Sequence, residues 1–566
     1  MSITASRGTG LRCRTWRAEA LLRLLENVLE VGERPEDLVV YASIGKAVRD
    51  WDAYRQITDA LLHLYEDQTL VLQTGRPVAV LNTHVAAPMV ISAVNNTVGN
   101  WATEERFYAR LAERKTIWGG LTAAAWQYIG RQGVLGGTYE LLRTALDRHF
   151  QETSAPHRWM LTAGLGGMGS SQPISARMLE LSTLVVEADP AKLAKLRAAG
   201  GIDLVVDDLD GALATISAAI TERRPVAVGL LGNAADVFPA IAAGDVLPDI
   251  VTDQTAAHDA RYGYLPAGYT LDAWATGRET DPGKVERDAR QSMAAQVRAM
   301  LELKSRGAVV FENGNNLRVQ ASHVLDAVET ERVFAEIPGF MEAYLRPLFS
   351  RGIGPFRWMI LSGDENDLKV VDDLAATMFP ERPEIARWIG LARRHIPAQG
   401  LPARSCWLGY GERSALACAV NEAVADGRIS APIAFSRDHL DSAGMTHPRI
   451  GTEGMRDDSD GVTDWPILDA MLMSAGGADL VAVHSGGGGY SGWMQSAGVT
   501  VVADGTEAAA TRLRQALDLD SGLGVIRHAT AGYEEAIDQV GQSQKPGAHG
   551  APLRLIRNHP YDHEGA

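Results

Sequence analysis

The fold of this chain is decided by Trp159-Met160-Leu161-Thr162-Ala163-Gly164-Leu165-Gly166-Gly167-Met168-Gly169. The first five residues are an apolar run typical of a buried strand, and the last six match the pattern GxGxxG. In that pattern the first glycine permits a tight turn, the second lets backbone approach a pyrophosphate, and the third lets a helix pack closely on the strand. The stretch therefore predicts the first strand and turn of a dinucleotide-binding unit.

The residues that follow extend the same pattern. A helix is predicted over about 172 to 181, and a strand over 182 to 186 ends at Glu187, where a ribose hydroxyl is expected. A carboxylate there favours NAD over NADP, because it repels the extra phosphate. The alternative is a glycine-rich turn that merely tightens a strand-to-helix connection. The order of strand, glycines, helix, strand and acid favours the dinucleotide.

Two later loops carry polar residues at predicted strand ends. Gly232-Asn233-Ala234 follows one strand, and Thr252-Asp253-Gln254-Thr255 follows another. Ligands of open α/β sheets bind at the carboxyl ends of the strands, so both loops suit a cofactor site. Taken alone, either loop is more often a helix N-cap than a cofactor site.

The rest of the chain alternates short apolar runs with amphipathic helical segments, which indicates an α/β architecture with a mainly parallel sheet. We predict an α/β fold with a Rossmann-like NAD-binding domain inserted into a discontinuous α/β core domain. The predicted bounds are 1–136 for the N-terminal part of the core, 137–347 for the NAD-binding domain and 348–566 for the C-terminal part of the core.

Composition narrows the classes of partner. The chain has 566 residues, 46% of them hydrophobic, and a formal net charge of -16. This charge repels phosphate backbones and anionic lipid, so neither nucleic acid nor a membrane surface is an expected partner. The three cysteines form no CxxC pair, and the N-terminus has no signal-peptide pattern. We therefore expect a cytoplasmic protein in a reducing compartment.

Beyond the glycine-rich turn, an ordered series of distinctive loop segments runs along the chain. These segments are Val251-Thr252-Asp253-Gln254, Gly263-Tyr264-Leu265-Pro266-Ala267-Gly268, Arg351-Gly352-Ile353-Gly354-Pro355-Phe356-Arg357-Trp358, Gly400-Leu401-Pro402-Ala403-Arg404, Cys406-Trp407-Leu408-Gly409, Arg437-Asp438-His439-Leu440-Asp441-Ser442 and Asp504-Gly505-Thr506. Together with the glycine-rich turn, they resemble the urocanase (urocanate hydratase) family, and the resemblance runs from about Trp16 to Glu534.

The resemblance implies a homodimeric hydro-lyase that adds water to an imidazole-propenoate and yields an imidazolone propionate. It also implies tightly bound NAD+ that is electrophilic and not consumed. An aromatic imidazole resists attack by water unless an electron sink draws density from it, and nicotinamide is a cationic sink. General acid and base groups must then move protons near neutral pH.

Carried over by position, the resemblance implies two sets of site residues. The cofactor-binding set is Ala42, Ser43, Gly167, Met168, Gly169, Glu187, Lys192, Asn233, Ala234, Gln254, Thr255, His258, Tyr264, Leu265, Asn313 and Gly488. The catalytic set is Cys406, His84, Tyr41, Asp438 and His439, and no metal is expected.

Four of the catalytic candidates have plainer explanations. A free cysteine such as Cys406 is usually a small buried hydrophobe. His84 suits a satisfied polar residue at a strand end equally well. Asp438 and His439 are also compatible with a turn held by side-chain to backbone hydrogen bonds.

Substrate-binding candidates include several departures from the family pattern. Arg357 and Arg437 supply positive charge, while Arg449, Ile450 and Tyr490 lie in segments that differ. Ile450 stands where the family has a substrate-binding arginine, and an isoleucine makes no charge-assisted hydrogen bond, worth about 1.5 to 3 kcal/mol. A ring-modified substrate is therefore predicted, either thiourocanate or S-methyl thiourocanate. Family relatives that act in ergothioneine breakdown add water to these two compounds. Ordinary urocanate is the close alternative.

Two other classes compete with a hydratase. The glycine-rich signature alone suits an NAD-dependent dehydrogenase, which would form NADH reversibly. A non-catalytic NAD-binding protein is the second alternative, although the presence of Cys406, His84, Arg357 and Arg437 argues against it.

Overall fold

The computed structural model describes residues 3–42, 44–439, 444–447, 451–485 and 494–556. The chain divides into two compact units. The core unit comprises Met1–Gly133, Arg346–Pro448 and Gly454–Ala566, and the inserted unit comprises Val134–Leu345 with Arg449–Glu453. In the described part of the chain, no helix is both long and apolar enough to cross a membrane.

The strands, in chain order, are β1 (Val39–Tyr41), β2 (Gly45–Lys46), β3 (Gln68–Gln73), β4 (Arg76–Asn82), β5 (Val90–Val94), β6 (Trp159–Ala163), β7 (Ser182–Glu187), β8 (Leu204–Val206), β9 (Ala227–Leu231), β10 (Ile250–Val251), β11 (Val309–Val310), β12 (Gly354–Ile360), β13 (Ala403–Leu408), β14 (Ile433–Arg437), β15 (Met445–Thr446), β16 (Leu480–Ser485) and β17 (Gln495–Ala503).

The α-helices are α1 (Trp16–Glu30), α2 (Trp51–His63), α3 (Glu104–Ala112), α4 (Arg131–Phe150), α5 (Gln172–Met178), α6 (Pro190–Ala198), α7 (Leu209–Glu222), α8 (Ala234–Ala243), α9 (Leu271–Thr280), α10 (Pro282–Ser305), α11 (Leu317–Ser322), α12 (Ala327–Glu336), α13 (Arg346–Phe349), α14 (Glu365–Met378), α15 (Pro383–His395), α16 (Glu412–Ala425), α17 (Asp464–Ala475), α18 (Glu507–Thr530) and α19 (Glu534–Ser543).

The inserted unit is built on a parallel six-stranded sheet in the order β11-β10-β6-β7-β9-β8. Strands β6 and β7 are buried along their whole length, as expected when helices cover both faces of a parallel sheet. The glycine-rich turn follows β6 directly, so the predicted Rossmann-like fold is confirmed. Helix α5 ends at Met178, because Leu181 makes the turn into β7.

The core unit contains a mixed nine-stranded sheet in the order β13-β12-β14-β17-β16-β5-β3-β4, with β15 beside β17. Only β5 pairs in parallel, with β16 and β3, while the other described pairs are antiparallel. The expectation of a mainly parallel sheet is therefore wrong for this unit. The two-residue connection between β3 and β4 is too short for a crossover, so these strands can pair only in antiparallel fashion.

The two faces of this sheet are covered by different helices. Because side chains alternate along a strand, Met359 on β12 lies on one face and Trp358 on the other. Met359 belongs to the hydrophobic core that includes Leu21 and Leu25 of α1. The Trp358 indole N–H donates to Asp372 of α14. We call these the α1 face and the α14 face.

Candidate active site

Polar side chains collect on the α1 face of the core sheet, near the ends of β14 and β16. Arg357 lies on β12, Asp438 and His439 follow the last residue of β14, and His484 is near the end of β16. Gln127 reaches them from the chain segment before α4, and Tyr41 ends β1. We call these six residues the polar cluster: Tyr41, Gln127, Arg357, Asp438, His439 and His484.

Arg357 forms the charged part of the polar cluster and is 2% exposed. Its Nη1 donates to the Gln127 carbonyl at 2.9 Å, and its Nη2 donates to the Asp438 carboxylate. A Cβ atom on Gly133 would lie 2.9 Å from Nη2, so the guanidinium needs a glycine there. A buried cation without a counter-ion is costly, and the Asp438 carboxylate offsets that cost.

The two histidines of the polar cluster contact each other directly. His439 Nδ1 lies 2.6 Å from His484 Nε2, and His439 Nε2 lies 2.5 Å from the Gln127 Oε1 atom. Burial lowers the pKa of His439 well below its ordinary value, and the positive charges of Arg437 and Arg357 add to this. Burial also lowers the pKa of His484 to about 4. Both imidazoles are therefore neutral near neutral pH.

Tyr41 is held by backbone donors. Its phenol oxygen accepts hydrogen bonds from the N–H groups of Leu121 at 2.7 Å and Thr122 at 3.2 Å. Its ring stacks on Tyr128 with centroids 4.8 Å apart. Burial raises the pKa of Tyr41, and the two N–H donors oppose this shift without reversing it. Tyr41 is therefore a protonated phenol at neutral pH and a candidate proton donor.

Cys406 and Arg437 lie on the opposite face of the sheet from Arg357. Phe356 pairs with Cys406 on one side and Arg437 on the other, so these three side chains share the α14 face. Arg357 pairs instead with Ser405 and Ser436. Cys406 and Arg437 therefore do not share a face with Arg357, because side chains alternate along a strand, and their predicted site roles stay predictions.

Arg437 is engaged in a buried ion-pair network. Its Nε donates to Asp520 at 2.8 Å, and its Nη2 donates to Asp469 at 2.7 Å. Arg413 lies 3.5 Å from the same Asp520 carboxylate. These carboxylates neutralise Arg437 inside the protein, so its position supports packing more directly than substrate binding.

His84 does not join the polar cluster. It is exposed and follows β4, the edge strand of the sheet. Asn82 of β4 pairs with Gln68 at the start of β3, whereas His484 pairs with Val94 at the end of β5. Since β3 and β5 are parallel, His84 lies at the other end of the sheet from His484. His84 is therefore separate from the polar cluster, and its predicted catalytic role stays a prediction.

Several predicted residues fall outside the described residues: Ser43, Arg449, Ile450, Gly488 and Tyr490. Ala42 is described, and its φ of 54° places it in the left-handed region directly after Tyr41.

In the inserted unit, the glycine-rich turn has the geometry that a pyrophosphate requires. Gly164 has a φ of +87°, and a Cβ atom there would lie 2.3 Å from the Gln254 carbonyl oxygen. A Cβ on Gly169 would lie 2.0 Å from the Gly164 oxygen, whereas a Cβ on Gly166 would meet nothing within 4 Å. The first and third glycines therefore permit tight packing, and the second faces open space.

Glu187 lies beside this turn at the end of β7. One carboxylate oxygen accepts from the Leu165 N–H at 2.7 Å, and the other accepts from the Asp189 N–H at 2.9 Å. The Lys192 ammonium lies 4.0 Å from the carboxylate. The fixed carboxylate fits the hydroxyls of a ribose, as the sequence indicates.

A cavity of the inserted unit brings together eight predicted cofactor-binding residues. It is lined by Glu187, Lys192, Asn233, Ala234, Gln254, Thr255, Tyr264 and Leu265, with the turn residues 164–166. Asn233 caps α8 and also donates from Nδ2 to the Leu265 carbonyl. Gln254 donates to the Asn313 carbonyl at 2.6 Å. Asn233 therefore both caps a helix and lines the cavity.

Five other predicted cofactor residues of the inserted unit are not among those that line the cavity: Gly167, Met168, Gly169, His258 and Asn313. Met168 is 38% exposed next to Gly167 and Gly169, and His258 is half-buried. Burial lowers the pKa of His258, so this imidazole is neutral near neutral pH. Asn313 contributes its carbonyl to Gln254.

Two residues at these sites escape sequence reasoning. Gln127 stands in the apolar run Ala123 to Trp126 and Tyr128 to Ile129, and a lone polar residue in such a run is a signal of a buried polar role. Trp274 lines the cavity from α9 with its indole N–H bound to the Arg261 carbonyl. No pattern in the sequence distinguishes it from a core tryptophan.

Comparisons with known proteins agree along the chain. Residues 3–127 match the urocanase N-terminal domain, 130–344 the urocanase Rossmann-like domain and 347–542 the urocanase C-terminal domain. The chain is also similar to the S-methyl thiourocanate hydratase of Variovorax sp. (strain JCM 16519 / RA8). The two are 48% identical over 537 residues, which is 94% of this chain and 95% of that protein. The chain therefore belongs to the urocanase family and is a hydro-lyase.

Proposed function

We propose that this protein is an NAD+-dependent hydratase that adds water to a sulfur-bearing urocanate, with S-methyl thiourocanate as the preferred substrate. The observation that carries this proposal is the 48% identity, over 94% of the chain, with a relative named for that substrate. Ile450 supports it, since it stands where the family resemblance places a substrate-binding arginine. Thiourocanate and ordinary urocanate are the neighbouring alternatives.

NAD+ is proposed as the cofactor because the cavity residues fit it. Glu187 presents a fixed carboxylate, Gly166 leaves room for a close approach, and Gln254 and Asn233 line the same cavity. When bound, NAD+ supplies a cationic ring that draws electron density from an aromatic substrate and opens it to water.

The polar cluster supplies groups suited to moving protons. Tyr41 is a protonated phenol at neutral pH, and the His439–His484 pair is neutral. A protonated donor and a neutral acceptor are the two forms that hydration of a double bond requires. Arg357 fixes the Asp438 carboxylate beside them. We propose Tyr41 as the general acid, and Asp438 and the His439–His484 pair as groups that hold and accept protons.

The substrate is tested by mixing the purified protein with urocanate, thiourocanate and S-methyl thiourocanate in turn. Loss of the conjugated ultraviolet chromophore reports hydration. We expect kcat/KM for S-methyl thiourocanate to exceed that for urocanate by about 10- to 100-fold, the equivalent of a charge-assisted hydrogen bond. Faster turnover of urocanate would contradict the substrate and leave the family intact.

A pair of variants ties that activity to the polar cluster. Tyr41→Phe removes the proposed donor and should lower kcat strongly, while Tyr65→Phe is the matched control because Tyr65 is 52% exposed. Equal activity of the two variants would remove Tyr41 from the mechanism. A dehydrogenase would instead show NADH absorbance growing with substrate loss, and we expect none.

The compartment, oligomeric state and partners are proposed from the cysteines, the family resemblance and the net charge. Cys13, Cys406 and Cys418 are all free thiols, which suits a reducing compartment, and we propose the cytoplasm. We also propose a homodimer, following the family resemblance. Neither a membrane nor a nucleic acid is proposed as a partner, given the net charge of -16.

A further inference from the structure

The carboxamide of Gln127 has one defined orientation. It is fully buried, and its Nε2 donates to the Val499 carbonyl at 2.8 Å and to the Thr500 hydroxyl at 2.9 Å. A carbonyl oxygen accepts and never donates, so nitrogen must be the atom that faces Val499. The Oε1 atom is therefore the one that faces His439.

This orientation determines where both histidines carry their protons. Because Gln127 Oε1 only accepts, His439 Nε2 must be an N–H group. In a neutral imidazole the other nitrogen is then a bare acceptor, so His439 Nδ1 accepts from His484 Nε2, 2.6 Å away. The Ser496 hydroxyl oxygen lies 3.2 Å from the same His484 nitrogen and is a second acceptor for its N–H group.

The remaining nitrogen of the pair, His484 Nδ1, is left with its lone pair. It is buried beside the backbone of Leu121, which favours a proton on His484 and partly offsets the effect of burial on its pKa. Uptake of a proton at this atom would create an N–H group facing the Leu121 carbonyl. That carbonyl belongs to the peptide group whose N–H, on Thr122, donates to the Tyr41 phenol oxygen. The pair and the phenol are thus joined through one peptide group.

We propose that Gln127 is a positioning residue that locks the His439–His484 pair in the Nε2–H tautomer and leaves His484 Nδ1 as the basic nitrogen of the pair. The role in proton transfer rests on the proposed hydratase function, while the tautomers depend on the contacts alone. Gln127 acts through His439 and need not touch substrate.

Charged groups around the pair set the direction of its pH response. Arg357 and Arg437 both disfavour a protonated His439, and each is paired with carboxylates, Asp438 for Arg357 and Asp469 with Asp520 for Arg437. Tyr41 faces the pair across Leu121 as a neutral phenol. A negative charge placed at position 127 should therefore raise the pKa of the pair.

Nitrogen-15 NMR of histidine-labelled full-length protein tests the tautomers without any substrate. Signals of His439 and His484 are assigned by their loss in His439→Gln and His484→Ala. In the wild type we expect the Nε2–H tautomer for both. In Gln127→Leu the acceptor is gone, so the pair should reverse to Nδ1–H, with His484 donating to Leu121. Gln132→Leu, which replaces another buried glutamine whose Nε2 has no hydrogen-bond partner, should leave both signals unchanged.

Kinetics on S-methyl thiourocanate test the consequence. Gln127→Leu should lower kcat about 10- to 100-fold with KM changed less than threefold. Gln127→Glu keeps an acceptor oxygen and adds charge, so its acidic limb of kcat should move to higher pH. Gln132→Leu should match the wild type.

Each outcome decides the proposal. Nδ1–H for His439 in the wild type, or unchanged signals in Gln127→Leu, would overturn it. If Gln127→Leu does not fold, Gln127→Glu must still show Nε2–H for His439, and its imidazolium must appear at higher pH. If the wild type hydrates no urocanate analogue, the proposed function fails while the NMR result still stands or falls by itself.

Discussion

At the scale of single residues, the polar cluster depends on small neighbours as much as on its polar atoms. Gly133 leaves space for Arg357, and Gly498 leaves space for His439. Arg357 and His439 are both buried almost completely, so neither can move toward solvent to relieve a contact. Side chains added at these glycines therefore act on the site itself.

Gly498→Ala should disrupt His439, because its Cβ atom would lie 2.0 Å from the Nε2 atom of that ring. We expect kcat per folded molecule to fall at least about 10-fold, since the Gln127 contact must break. Gly541→Ala is the control, because a Cβ there meets nothing within 4 Å. Turnover by Gly498→Ala equal to that of the control would show that His439 is dispensable.

Asp253 should make stability depend on pH. Burial raises its pKa to about 6 from an ordinary 3.8, although Thr255, Gln296 and Asn315 donate to it. A raised carboxyl pKa stabilises the folded state below about pH 4, and that stabilisation is lost as pH rises toward 6, by up to about 3 kcal/mol. In urea unfolding, the free energy of unfolding of Asp253→Asn should rise relative to that of the wild type between pH 4 and 7. A difference in free energy of unfolding that stays constant over this pH range would show that the pKa of Asp253 is not raised.

Residue types could be predicted from the sequence more readily than their grouping. Tyr41, Arg357, Asp438 and His439 were all candidates, and the structure brings them together. Cys406 was a candidate too, but strand alternation places it on the opposite face, which a residue pattern without strand register does not reveal. The catalytic roles of these residues stay predictions.

At the scale of elements, the glycine-rich turn allows the effect of an added side chain on cofactor binding to be measured separately from its effect on stability. Gly169 contacts the protein closely, whereas Gly166 faces open space. Gly166→Val should therefore leave the thermal midpoint nearly unchanged and reduce the NAD+ released on denaturation. Gly169→Ala should lower the thermal midpoint as well, because its Cβ meets the Gly164 oxygen. Full NAD+ content in Gly166→Val would contradict the cofactor assignment.

The buried strand β6 and its glycine turn could be predicted because one local pattern specifies strand, turn and function together. The strand pairing of the core sheet could not be predicted from the sequence. Strands β3 and β4 were both expected, yet their antiparallel pairing depends on Thr74 and Gly75, whose φ values of 49° and 73° form a tight hairpin turn. Threonine rarely adopts a positive φ, so the turn has no clear sequence signature.

At the scale of the whole molecule, the edge strand β4 supports the proposed homodimer. Val78, Val80 and Leu81 are each at least 43% exposed on this edge, and an exposed apolar edge strand favours pairing with another chain. Light scattering should give twice the chain mass of 60.8 kDa, and Val80→Lys should shift the protein toward the monomer. A wild-type mass of 60.8 kDa would exclude the dimer.

The measurement that tests the central claim most directly is the product formed from S-methyl thiourocanate in water enriched in oxygen-18, followed by mass spectrometry and absorbance. A hydratase that retains its cofactor should add one labelled water to each substrate molecule while no NADH absorbance develops. A product that lacks the label, or NADH formed in step with substrate loss, would contradict hydration by this protein.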